Sequence, residues 1–388
     1  MPKHPRWRAI SFAFILVAFL ESFSSQSVMI ALAVIIPRDF SSNSMVFGLT
    51  STIYALGRLL VIFPMGKLSD KIGRKPALLL SISMSLVGLI FLQYVHNIYM
   101  ILFSRFLMGT NAFMAITMAI IDDVFPPEEK GKPVSWLTAT ILAGFLLGSV
   151  LGGNIYELLG DSYAYIIQIG FMGITFLVVY ICVPGQTKIP DNAKVSPELF
   201  SSSPSAKQQK KVVIRSLFKT PAFRAVLLIN FGVNLIFLGS GAYWSYMLIN
   251  HYSLEPSQVG IFFLPPLLGD ISALLLTGTR KNMFRVMRIT FYAAIGCFFF
   301  LLFLPFWQGV WIFTFYGTLF GFVNCMVIQA VDTISLRFAP PKQEWSVFGI
   351  YKFFTSLGAV IGPSLLLFTV EYIWPLFGVM FFPIILTL

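Results

Sequence analysis

Apolar residues run along this chain in long blocks, not in the one-sided stripes of a soluble helix. A helix that crosses a bilayer needs about 20 mainly apolar residues. Blocks of that kind fall near 9–36, 46–66, 76–95, 98–122, 133–156 and 162–184, and again near 221–250, 257–278, 285–304, 308–336, 344–368 and 371–388. Between the two sets lies a stretch rich in Pro, Ser, Gln and Lys, without apolar periodicity, which reads as a linker loop. The pattern predicts an all-α polytopic membrane protein of twelve transmembrane helices. Residues 1–184 and 221–388 form two six-helix bundles, joined by a linker over 185–220.

Composition agrees with the pattern. Apolar residues make up 57% of the 388 positions and charged residues 11%, against roughly 25% charged in soluble domains. Such a chain lacks the polar surface to face water, whereas lipid is as apolar as its side chains.

The net charge of +11 would suggest a polyanionic partner in a soluble protein. Its placement points elsewhere, and no nucleic acid is expected. With the N-terminus in the cytoplasm, 24 of the 27 Lys and Arg fall in cytoplasmic segments and only Arg38 falls outside; Arg58 and Arg105 lie within spans. That asymmetry follows the positive-inside rule. It predicts a multi-pass cell-membrane protein with N-terminus and linker cytoplasmic. Cys182, Cys297 and Cys325 sit in apolar runs without paired spacing, and His4, His96 and His251 are scattered, so no metal site is expected. A phosphate-binding G-K-S/T loop is absent, which argues against an ATP-driven pump. No catalytic triad can be assembled. No enzyme activity and no cofactor are expected.

The chain also echoes itself. Shifted by 214 residues, Pro126-Pro127 meets Pro340-Pro341, Gly144 meets Gly358 and Gly148 meets Gly362. Each match falls in a helix–turn–helix unit, as expected of two related halves.

Between blocks two and three stands Gly66-Lys67-Leu68-Ser69-Asp70-Lys71-Ile72-Gly73-Arg74-Lys75. Gly73 permits a tight turn. Asp70 suits a helix N-terminus, and Arg74 can pair with a neighbouring carboxylate. The string resembles the major facilitator signature G-x-L-a-D-x-x-G-R-K. That resemblance implies twelve helices in two pseudo-symmetric bundles, and a latch in which Gly66, Asp70, Gly73 and Arg74 engage an acid at the end of helix 4. Asp123, within Asp122-Asp123-Val124-Phe125-Pro126-Pro127-Glu128-Glu129-Lys130-Gly131, aligns with that acid. Arg105 through Gly109 resembles the R-x-x-x-G motif of proton-coupled members. Gly144, Gly148, Gly152 and Gly153 resemble the antiporter motif G-x-x-x-G-P-x-x-G-G, with Ser149 in place of the proline. Gly358, Gly362 and Pro363 on helix 11 keep it. Glycines four apart let helices approach closely.

Three ionisable groups lie where lipid would surround an isolated helix: Glu21, Arg105 and Asp270. An arginine at the bilayer centre costs roughly 2.5–3.5 kcal/mol on insertion scales. Glu21 and Asp270 should face a cavity or hold a proton. They are the candidate proton carriers, with Arg105 tuning them; structural hydrogen bonding, or snorkelling of Arg105 to the interface, is the alternative. Gln26, Arg58, Asn230, Asn234, Asn324 and Tyr351 are the candidate cavity-lining residues. Amides beside aromatics suit an amphipathic or cationic ligand, and equally an interfacial aromatic belt around Tyr243, Trp244 and Tyr246. The resemblance to twelve-helix drug:proton antiporters implies export of a small organic solute by alternating access, driven by protons, by a monomer in contact with lipid. An uptake permease, a lipid flippase and a non-transporting receptor on the same scaffold are the rivals.

Overall fold

The computed structural model describes residues 7–40, 44–94, 97–124, 131–160, 163, 165–185, 218–278, 309–337 and 344–368. Among these residues the regular structure is helical, with no strand. The helices are α1 (Trp7–Phe40), α2 (Ser44–Ile72), α3 (Arg74–Tyr94), α4 (Ile98–Gly109), α5 (Phe113–Val124), α6 (Gly131–Leu159), α7 (Ile166–Cys182), α8 (Pro221–Tyr246), α9 (Pro256–Gly278), α10 (Val310–Arg337) and α11 (Glu344–Phe368). A π-helical turn, Met247–His251, extends α8. Six of these segments are long and apolar enough to cross a membrane, with α4 and α5 counted as one. The spans expected at 285–304 and 371–388 lie outside the described residues.

Span four departs from the expected single helix over 98–122. Its helical bonding stops at Gly109 and restarts at Phe113. The polar groups exposed by this break are satisfied locally. The Asn111 side-chain oxygen accepts from the Phe113 N–H at 3.0 Å and from the Ser81 hydroxyl at 3.1 Å. Ser81 Oγ in turn accepts from the Ala112 N–H at 2.6 Å. Without such partners a break at membrane depth would leave backbone groups unpaired, at several kcal/mol each.

Glycines set the closest helix contacts. A Cβ on Gly144 would lie 2.6 Å from the Phe19 carbonyl oxygen, and one on Gly148 2.6 Å from that of Phe23, so α6 packs on α1 with its backbone. In the second half Gly358 meets the Phe231 carbonyl and Gly362 that of Leu235, packing α11 on α8 the same way. The pairing of α2 with α4 matches that of α9 with α10. Gly57 lies against the Phe106 carbonyl and Gly109 against that of Tyr54; Gly269 lies against the Thr318 carbonyl and Gly321 against that of Pro266. Residues 19, 23, 54, 57, 106 and 109 correspond to 231, 235, 266, 269, 318 and 321, a constant offset of 212. The offset becomes 214 from α6 to α11. The echo expected from sequence is therefore a repeat of backbone contacts, with two extra residues before the second Pro-Pro turn.

The halves meet through α2 against α11 and α9 against α6. Thr52 Oγ1 donates to the Val360 carbonyl at 2.7 Å and lies 2.8 Å from Ser364 Oγ. The Asn250 amide reaches the Ala33 carbonyl at 3.2 Å, and the Ser257 N–H donates to Glu157 at 2.9 Å. These cross-half bonds lie toward the end opposite the Lys67–Lys75 turn. The α3 side chains Leu80, Val87, Ile90 and Phe91 and the α7 side chains Ile174, Leu177 and Ile181 are exposed, as suits lipid-facing helices.

Candidate substrate and proton site

Within the first half α1, α2 and α4 bring a charged cluster together. Arg105 is 1% exposed, although its guanidinium lies deep in the bundle. Its Nε points at the Thr50 carbonyl at 3.4 Å and Nη2 at the Met29 sulfur at 3.3 Å. The guanidinium carbon stands 4.6 Å from the centre of the Tyr54 ring. Nη1 has no hydrogen-bond partner among the described residues. Snorkelling is thereby excluded for this arginine: it is held by a carbonyl, a sulfur and an aromatic face, each of which favours the cation.

Tyr54 serves a second cation. Arg58, one turn further along α2, donates to the Tyr54 hydroxyl at 2.8 Å and stands 5.1 Å from the ring centre. Arg58 is exposed. Glu21 on α1 is half-buried. Ser25, one turn on, is likewise half-buried. The sequence argument paired Arg58 with Glu21 or with the latch; its hydrogen bond goes to Tyr54, and no ion pair within 4 Å joins it to Glu21 or Asp70 among the described residues. Gln26 is half-buried next to Gly148.

Asp270, on α9, is 9% exposed and packs against α10, where its Oδ1 lies 3.1 Å from the position of a Cβ on Gly321. That oxygen has no hydrogen-bond partner among the described residues. Asn324 on α10 is 2% exposed, and its Nδ2 also lacks a partner there.

Three expected cavity residues take other places in this conformation. Asn230 donates to the Tyr351 carbonyl at 2.9 Å and to Thr355 Oγ1 at 3.0 Å, and Asn234 donates to Asn230 at 2.8 Å. Asn230 and Tyr351 are each 1% exposed and Asn234 7%. These side chains clamp α8 to α11 instead of facing open space. The reason is the Gly358–Gly362 contact beside them: two backbones this close leave polar side chains no route outward. Trp244, weighed as a belt residue, is buried and stacks on Phe313 with 3.9 Å between ring centres.

Of the residues expected to form the latch, four are described. Gly73 adopts φ 101°, the left-handed turn that favours glycine, while a Cβ on Gly66 would meet no neighbouring element within 4 Å. Asp70 closes the last turn of α2 and does not cap a helix N-terminus; it pairs with Arg74 at 2.6 Å. Arg74 also donates to Ser69 at 2.9 Å. The Asp123 side chain lies outside the described set. Ser149, in place of the family proline, bonds back to the Phe145 carbonyl at 2.8 Å, and α6 runs unbroken. Gly152 packs on Ser27, Gly153 on the Pro256 backbone, and Pro363 lies within α11.

Among the described residues no group of three or more His, Cys, Asp or Glu gathers to hold a metal. The clusters instead place charged groups deep among apolar helices.

The Major Facilitator Superfamily model matches residues 14–387. The chain belongs to the Major Facilitator Superfamily. It is a membrane transporter and not an enzyme. Among curated relatives, the class B tetracycline resistance protein of Escherichia coli is 26% identical over 332 residues, covering 84% of this chain and 79% of that protein. The quinolone resistance protein NorA of Staphylococcus aureus is 24% identical over 252 residues, 63% of this chain and 62% of that one. The multi-drug resistance efflux pump PmrA of Streptococcus pneumoniae is 31% identical over 161 residues, 40% of each. In structure, this major facilitator chain is similar to a bacterial homolog of the human lysosomal transporter Spinster, inward-facing and occupied. The TM-score is 0.73 at 13% identity, over 99% of this chain and 94% of that one. The human organic anion transporter MFSD10 gives a TM-score of 0.69 at 16% identity over the whole of both chains. Both show the major facilitator fold.

Proposed function

We propose that this chain exports a small organic solute in exchange for protons, by alternating access. The observation that carries the reading is the buried Arg105, coupled through Tyr54 to Arg58 across two helices. A charge network this deep in an apolar bundle is costly to keep unless it works in transport. The relatives' names, which concern tetracycline, quinolones and multiple drugs, favour export of amphipathic molecules.

Glu21 and Asp270 are the groups we assign to proton exchange, with Arg105 setting the charge around Glu21. The cross-half bonds at Thr52, Asn250 and Ser257 support an alternating-access cycle in which that end closes while the other opens. On this reading residues 1–184 and 221–388 are the two moving halves and 185–220 is their cytoplasmic linker. The protein is a plasma-membrane monomer with its N-terminus inside. The turn holding Asp70 and Arg74 acts with Asp123 as the latch of one state.

The test is proton movement by the purified chain in proteoliposomes carrying a luminal pH dye, on adding hydrophobic cations, organic anions or sugars. Solute-dependent proton flux that disappears in Glu21→Gln or Asp270→Asn supports the reading. No flux with any class, and variants identical to the unmodified chain, would sink it. Ser149 in place of the export-associated proline, with α6 unbroken, favours uptake as the second reading. The direction of counterflow separates the two.

A further inference from the structure

We propose that Arg58 and Asp270 are the two poles of one ligand site, and that the transported solute is dipolar, with an anionic group toward Arg58 and a cationic group toward Asp270. This rests on the transport reading above.

The placement follows from the internal repeat. The offset of 212 that maps Gly57 onto Gly269 and Gly109 onto Gly321 maps Arg58 onto Asp270. Equivalent residues of two halves related by a pseudo-two-fold axis stand at equal depth and equal distance from that axis, on opposite sides. Arg58 is an exposed residue of α2, and Asp270 holds the corresponding place on α9 in the other half. One position of the repeat thus carries opposite charges.

Their surroundings sharpen the contrast. Arg58 and a second guanidinium, Arg105, stand over the same Tyr54 ring, and α1 carries one carboxylate, Glu21, leaving one cation in excess. Arg105 Nη1 is unpartnered. Around Asp270 no cation is paired among the described residues, and Oδ1 is unpartnered in an apolar contact with α10. Opposed charges across a cavity with low-dielectric walls set up a field directed from the first half to the second. A simple cation meets repulsion from the two arginines and a simple anion meets repulsion from Asp270. A solute with both signs satisfies both walls and supplies partners for groups that would otherwise stay buried and unpaired.

The test uses three fluorescent probes on one skeleton: Nε-dansyl-lysine, which is zwitterionic; its methyl ester, a cation; and its Nα-acetyl derivative, an anion. Binding is titrated with the purified full chain in detergent. The zwitterion is expected to bind at least about tenfold more tightly than either analogue. Arg58→Gln should bring its affinity down to that of the ester and leave the ester unweakened. Asp270→Asn should bring it down to that of the acetyl form and leave that form unweakened. Arg58→Lys, which keeps the charge, should keep the preference.

Ester or acetyl probe binding as tightly as the zwitterion in the unmodified chain overturns the proposal. So does saturable binding of none of the three, or a loss in either variant that ignores probe charge. The rank order in the unmodified chain decides the matter even where a variant fails to fold. Ethidium-driven proton flux in proteoliposomes, measured alongside, reports the transport reading separately. Flux without a zwitterion preference sinks this site and leaves the transporter standing.

Discussion

Arg105 presents its guanidinium to one tyrosine ring, that of Tyr54, at 4.6 Å from the centre. The same residue accepts a hydrogen bond from Arg58 through its hydroxyl. Arg58 also stands over the ring, but only its hydrogen bond uses the hydroxyl, so that bond can be removed alone. Tyr54→Phe keeps the ring and should lower solute-driven proton flux about tenfold by freeing Arg58, since a hydrogen bond to a charged group is worth about 1.5–3 kcal/mol. Tyr54→Leu removes both contacts and should also lower the melting temperature in detergent, as a desolvated cation–π contact contributes about 2 kcal/mol. Equal melting temperatures for the two variants would show that the Arg105 contact stabilises nothing.

The break in span four depends on one hydroxyl. Ser81→Ala leaves the Ala112 N–H and one bond of Asn111 unmade, at a cost of about 1–3 kcal/mol for a buried unpaired group. Thermal unfolding should show it as a clear destabilisation. Ser83→Ala, whose hydroxyl only bonds back to the Leu79 carbonyl of its own turn, is the control and should change little. Equal stabilities would mean that water replaces Ser81.

Gly109→Ala places a methyl group on the Tyr54 carbonyl, with backbone on both sides of the clash. It should cost about 1–3 kcal/mol and reduce transport, because α2 and α4 must separate to admit it. Gly170→Ala and Gly173→Ala meet nothing within 4 Å and should be tolerated. A thermal-shift series on the three variants orders them directly.

Asn230→Leu distinguishes a clamp from a binding residue. Between α8 and α11 the substitution should lower stability by about 1–3 kcal/mol through the partners it strands and leave the solute KM within about twofold. A large KM change at unaltered stability would return Asn230 to the cavity wall.

Thr52→Cys with Ser364→Cys replaces a pair of hydroxyls 2.8 Å apart by two thiols on opposite halves. Oxidation should lock that end shut and bring transport to background, and reductant should restore it. Full activity in the oxidised state, with the crosslink confirmed on a gel, would argue against movement between α2 and α11.

Much of this was legible in the chain because bilayer physics writes in long words. A span needs about 20 apolar residues whatever its neighbours, so the described helices fall close to the expected blocks. Glu21, Arg105 and Asp270 stood out because charge is costly where they lie. Tyr54 did not, since a tyrosine among apolar residues looks like packing until the two arginines are seen around it. Asn230 and Asn234 were ambiguous for the converse reason: an amide facing a cavity and an amide bridging two helices have the same sequence signature, and only their partners tell them apart. The break after Gly109 was hidden because its bonding partner, Ser81, lies on another helix. The repeat was visible at four residues, while its full register required contacts between backbones, which no alignment of side chains reports.

That register carries an implication about descent. The contacts preserved at the offset of 212 are those between glycines and carbonyls, the parts that determine how helices fit. At Arg58 and Asp270 the same register holds opposite charges. Two copies of one ancestral unit would have begun with the same residue at that position. Their joining into a single gene freed each copy to change alone, and a polarity no symmetric pair of identical chains can possess became available to the fused one.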